Sequence, residues 1–200
     1  LSLHDALPIF LKSIKRISGK TLSCTLRLYP YKYSDKMGVP PVDKATLMCY
    51  NLINPLAFEN KNSILENEEL EAYLKGVKNY PLHLDIVLPV YSWLLAYQNK
   101  QFAGIVDMEQ EELRPFTKSV SPMWLEVTEE FTAGNLFLRP GDLLKYEDVS
   151  EETIRKTIEL LKKYITFGEN TTISLFHLDN QELQQYDYET LNSFYSDFNR

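Results

Sequence analysis

The chain is poor in the residues that announce chemistry. It has only two cysteines, Cys24 and Cys49, and three histidines in 200 residues. Two thiols inside predicted strands make neither a disulfide framework nor a zinc-finger spacing, and buried free thiols explain them. There is no glycine-rich phosphate loop, no G-x-S-x-G elbow, no H-E-x-x-H and no cluster of metal-ligand types, so no cofactor and no metal are expected. No apolar run approaches the roughly 18–20 residues of a membrane-spanning helix. Basic residues are scattered and outnumbered, 21 against 28 acidic ones, for a formal net charge of −7. That balance speaks against a nucleic-acid partner, which needs a basic stripe to meet phosphates. What is present is a globular composition, 44% hydrophobic and 12% aromatic.

Residues 1–9 (LSLHDALPI) resemble one reading frame of a short-read sequencing adapter. They are set aside as an artefact, and the natural sequence is expected to continue upstream of Phe10. Residues 10–200 are then expected to be one partial domain, the C-terminal part of a longer protein.

Hydrophobic periodicity divides residues 10–200 into alternating elements. Phe10, Leu11, Ile14 and Ile17 lie at helical spacing and end at Gly19. Strands are predicted at 21–28 (TLSCTLRL), 45–51 (ATLMCYN), 82–90 (LHLDIVLPV) and 171–178 (TTISLFHL), the third apolar enough to be buried on both faces. Residues 29–44 read as a long loop. Helices are predicted over 67–79, after Asp148 or Ser150 with Ile154, Ile158, Leu161 and Ile165 as its stripe, and after Asp187 with Leu191, Phe194, Tyr195 and Phe198. Residues 93–107 read as a β-hairpin turning at Asn99-Lys100. Residues 108–149 look irregular, with one short strand candidate at 135–138.

Strands alternating with helices imply parallel βα units. The fold class is α/β, and the strand count fits the C-terminal half of a (β/α)8 TIM-type barrel with a β-hairpin insertion, since a whole barrel takes about 250 residues. An open doubly wound sheet is the alternative.

In a barrel, polar side chains near the C-terminal strand ends line the site. Ser23, Thr25 and Arg27 share one face of the first strand. His83, Asp85 and Val87 share the corresponding face of the third. Arg27 and Asp85 can pair, as a structural ion pair or as a substrate contact. Tyr50 and Asn51 can hydrogen-bond a polar ligand, or Tyr50 can simply pack in the core. Tyr91 and Trp93, with Tyr29, Tyr31 and Tyr33, can stack on sugar faces or pack their own loops. At the end of the last strand, His177 and Asp179 compete with Ser174 and Phe176 for the inward face.

Two stretches, LSCTLRLYPYKYSDKMGVPPVDKATLMCYN (22–51) and YLKGVKNYPLHLDIVLPVYSW (73–93), resemble an uncharacterised, mainly Bacteroidetes, family of glycoside-hydrolase-like TIM-barrel proteins. Met48-Cys49-Tyr50-Asn51 is similar to the M-x-Y-[DN] motif on the sixth strand of chitinase-type barrels. That resemblance implies that Tyr50 holds a substrate acyl group, with Asn51 beside it. It also implies that the acidic motif of the fourth strand lies upstream of Phe10. Glycoside hydrolysis needs a carboxylic acid and usually a second carboxylate. The expectation is therefore a piece of a barrel acting on or binding extracytoplasmic carbohydrate, inactive as it stands, from a periplasmic or cell-surface lipoprotein parent. A non-catalytic barrel that binds glycan or protein is the alternative, and a barrel lyase a third.

Overall fold

The computed structural model describes residues 3–177 and 185–198. Helix α1 (Leu3–Ser18) leads to strand β1 (Ser23–Arg27). Two helical turns, α2 (Leu28–Lys32) and α3 (Ser34–Met37), precede β2 (Lys44–Met48), and α4 (Asn67–Leu74) precedes β3 (His83–Pro89). The expected loop at 29–44 thus carries two short helical pieces. An inserted run follows: β4 (Trp93–Gln98), β5 (Gln101–Val106), α5 (Gln110–Leu113), β6 (Thr117–Ser121), β7 (Trp124–Val127), β8 (Phe131–Ala133), β9 (Leu136–Leu138) and β10 (Leu143–Glu147). Helix α6 (Glu151–Tyr164), strand β11 (Ile173–Phe176) and helix α7 (Tyr188–Phe198) complete the order. Ser150 caps α6 by accepting from Thr153 N, and Asp187 caps α7 by accepting from Thr190 N at 2.6 Å.

Strands β1, β2, β3 and β11 form one parallel sheet in that order. Spatial order follows chain order, without the reversal that defines the switch point of a doubly wound sheet. Alternation sends Leu26, Leu47, Ile86 and Leu88 to one face, where they bury against Leu70 of α4, Ile158 of α6 and Phe194 of α7. The other face carries rungs of polar and mixed character. Thr25, Thr46 and Asp85 share one rung, and Arg27, Met48, Val87 and Ser174 share the next. Ser174 and Phe176 therefore face the same way as Val87, and Asp179 lies outside the described residues. Among the described residues β1 and β11 each pair with one neighbour, so this sheet is open.

The expected hairpin is present, but it is one part of a larger antiparallel sheet, β5-β4-β10-β7-β6, with β8 and β9 as a separate ribbon. Asn99 and Lys100 both have positive φ, 51° and 63°, the requirement of the tight hairpin turn that matches strand twist. Residues 108–149 are thus mostly strand, against the irregular reading. Their strands run three to five residues and β6 is largely exposed, so periodicity is short and one-sided. One face of this sheet buries Leu94, Ala96, Val106 and Leu144. The other presents Leu95, Tyr97 and Trp124 to the segment 51–63.

Helix α1 stands apart from this packing. Of its apolar stripe, Phe10 and Ile17 are exposed, the last at 79%, while Leu11 and Ile14 are half-buried, and Lys15 bonds Asp43 at 2.6 Å.

Candidate functional site

At the C-terminal ends of β1 and β2 lies a cavity of about 470 Å³. Its wall includes Arg27, Met48, Tyr50, Asn51, Tyr73 and Trp93, with Tyr29 and residues 52–55 closing it. Four of the six residues singled out in the sequence therefore meet at one place. Tyr91 stands directly behind them. Its O–H donates to Asn51 Oδ1 at 2.6 Å, and its ring meets Tyr50 edge-on at 6.1 Å and Trp93 edge-on at 5.7 Å.

The backbone explains the cluster. Tyr50 follows β2 by two residues, and the chain turns at Asn51, whose φ is 54°, a left-handed conformation asparagine tolerates better than most residues. Asn51 N donates to Ile64 O at 2.7 Å, which anchors the turn to the returning segment. The Tyr50 ring stacks on Phe176, 5.1 Å between centroids and 5° between planes, across the end of the sheet. Burial, and then the neighbouring Cys49, push the Tyr50 phenol up, while the nearby Arg27 charge opposes the shift. The hydroxyl is protonated at neutral pH and available as a donor.

Trp93 opens β4 directly opposite Glu147 of β10. Its indole Nε1 donates to Glu147 Oε2 at 2.6 Å. A second cavity, about 590 Å³, opens beside the inserted sheet and includes Trp93, Tyr146, Ile105, Met108 and Asp107 in its lining. Trp93 belongs to both walls.

The inserted sheet also holds the cavity's outer segment in place. Tyr97 O–H donates to Pro55 O at 2.7 Å, Trp124 Nε1 to Asn60 Oδ1 at 2.7 Å, and Lys145 Nζ to Lys61 O at 2.6 Å. Phe58 packs on Tyr97 and Trp124.

Asp85 is not in this cluster. Register places it beside Thr46, one rung below the Arg27 rung, so the expected Arg27–Asp85 pair does not form. Asp85 instead accepts from Lys44 Nζ at 2.6 Å and Thr172 N at 2.9 Å, and lies 3.3 Å from His83 Nε2. Burial alone would raise its carboxyl, but the bonds from Lys44 and Thr172 outweigh that and hold it below the usual range. Of the loop tyrosines, Tyr31 is buried against Tyr80, and Tyr29 pairs with Tyr33.

Sequence reasoning missed Glu147, Lys145, Ser63 and Phe176's stacking role. The only trace was the alternation in LLKYE, which puts Lys145 and Glu147 on one strand face. None of the residues lining the 470 Å³ cavity is a carboxylate. Among the described residues no group of three metal-ligand side chains is placed to hold an ion, and no helix is long and apolar enough to cross a membrane.

No protein-family profile and no curated protein matches the sequence. Solved structures do share the fold. A chitinase from Chromobacterium violaceum superposes with a TM-score of 0.50 at 12% identity, over 91% of this chain and 61% of that one. The spore cortex-lytic enzyme SleL of Bacillus cereus gives 0.52 at 16% identity, over 98% of this chain and 45% of that one. The chain therefore spans between about half and three fifths of the length of these neighbours, and its mixed α/β fold is similar to part of theirs.

Proposed function

We propose that residues 10–200 form the C-terminal half of a carbohydrate-active (β/α)8 barrel, and that the 470 Å³ cavity is part of its sugar cleft. The carrying observation is the convergence of Arg27, Tyr50, Asn51 and Trp93 at the C-terminal strand ends, where barrels of this class place their sites. The sequential parallel sheet with two open edges and the shared fold with a chitinase and a cortex-lytic enzyme support the reading. The ligand is a glycan of N-acylated sugars. The Tyr50 hydroxyl donates to the acyl oxygen, Asn51 and Arg27 offer further polar contacts, and the Trp93 face stacks on a pyranose.

Hydrolysis requires an acid that this cavity's wall does not carry. In this reading the acid belongs to strands encoded outside these 200 residues, and the chain alone binds without cleaving. Because no carboxylate lines the cavity, a non-catalytic glycan-binding barrel is the second reading.

Calorimetric titration with chitotetraose tests both. Saturable millimolar-range binding is expected, weakened about tenfold by Tyr50→Phe, the loss of roughly one hydrogen bond. Cellotetraose, which lacks acyl groups, should bind no better than that variant. Equal binding of both sugars, or an unaffected Tyr50→Phe, would remove the assignment. Cleavage of chitotetraose by the 200-residue chain would refute the claim that the acid is absent.

A further inference from the structure

A residue bonded to the cleft wall does not itself line the 470 Å³ cavity. Glu147 is wholly buried, 0% exposed, yet it is a carboxylate. Its Oε2 accepts from Trp93 Nε1 at 2.6 Å, Ser63 Oγ at 2.5 Å and Ser63 N at 3.1 Å. Its Oε1 lies 2.6 Å from Lys145 Nζ, itself 2% exposed, which also donates to Lys61 O. The pair thus ties three segments together: the start of β4, residues 61–63 and the end of β10.

A neutral acceptor would satisfy an indole N–H at far lower desolvation cost than a buried carboxylate with its own buried lysine. Such a pair is retained in some proteins because it fixes one arrangement rather than because it stabilises. The arrangement fixed here is that of Trp93. Trp93 lines both the 470 Å³ and 590 Å³ cavities, and its N–H is taken up by a carboxylate that lines neither. Without that acceptor the indole gains freedom to turn about χ1 and χ2 and change the face it offers to a ligand.

We propose that Glu147 is a positioning residue of the cleft: by holding the Trp93 indole through Oε2, it sets the face that Trp93 offers to a ligand, without contacting the ligand itself. The proposal rests on the sugar-cleft reading for its consequence in affinity, and on geometry alone for its effect on Trp93.

Trp93 and Trp124 are the chain's only two tryptophans, so their indole N–H resonances report separately. The test uses Glu147→Leu, which offers the indole no acceptor, and the charge-balanced Lys145→Met/Glu147→Leu should the single variant not fold. The Trp93 indole proton is expected to shift and to exchange with water about tenfold faster. The Trp124 proton, bound to Asn60, should stay in place. Chitotetraose affinity should fall about tenfold, and in a Trp93→Phe background Glu147→Leu should cause no further loss.

An unmoved Trp93 resonance would overturn the proposal. So would equal shifts at Trp93 and Trp124, which mark general loosening, or an undiminished effect of Glu147→Leu in the Trp93→Phe background. If the unmodified chain binds no chitotetraose, the sugar reading falls, and the two indole resonances alone decide whether Glu147 holds Trp93.

Discussion

Replacing Asp85 by asparagine should weaken the edge of the parallel sheet in a way that disappears in acid. Asp85 is 5% exposed and bonds Lys44 of β2 and Thr172, the residue before β11, from its place in β3. It therefore ties three neighbouring strands at one rung. Asparagine keeps an oxygen for Thr172 N but loses the charge facing Lys44. One charge-assisted hydrogen bond is worth about 1.5–3 kcal/mol. Lys44 is 37% exposed and partly solvated, so the lower part of that range, about 1.5 kcal/mol, is the expected loss at pH 7.

The pH dependence follows from the direction of the shift. The folded carboxyl titrates below the unfolded value of 3.8. Its contribution is thus complete above that value and is lost as pH falls through the lower, folded one. Urea unfolding from pH 7 to pH 2.5 is the assay. The gap between the original chain and Asp85→Asn should hold constant from pH 7 to about pH 5, then narrow below about pH 3.8. A gap that widens on acidification, or is absent at pH 7, would refute the assignment of Asp85 as a strand-tying carboxylate.

Two further substitutions probe the packing. Glu147→Ala leaves Lys145 buried without its counter-charge and should cost about 3–5 kcal/mol, whereas Lys145→Met/Glu147→Leu should recover most of that loss in urea unfolding. Leu47, fully buried at the centre of the parallel sheet, should cost about 2–5 kcal/mol when changed to alanine, read as a lowered denaturation midpoint.

The parallel sheet was legible because its strands alternate strictly. Leu26, Leu47 and Ile86 repeat every second residue with their neighbours, and α6 carries Ile154, Ile158 and Leu161 at helical spacing. The same alternation correctly grouped Arg27 with Thr25 and Asp85 with Val87. It did not give the register between strands: Arg27 lies one rung above Asp85 and two strands away, whereas Lys44, one rung below it on the adjacent strand, forms the pair. The inserted sheet was largely illegible beyond its hairpin. Strands such as Phe131–Ala133 and Leu136–Leu138 are too short to show a period, and their pairing depends on residues far along the chain. Tyr50, Asn51, Tyr91 and Trp93 stood out by type and position next to strand ends. Glu147 did not, because a glutamate in a short strand looks solvated until the fold buries it against Trp93 and Lys145.

The upstream coding sequence, recovered by amplification across the codons for residues 9 and 10, bears most directly on the half-barrel claim. Further βα units before Phe10 are expected, with a D-x-D or D-x-E strand end within about 30 residues, completing a barrel of roughly 250 residues. Genuine in-frame coding for residues 1–9, preceded by no such strands, would contradict it.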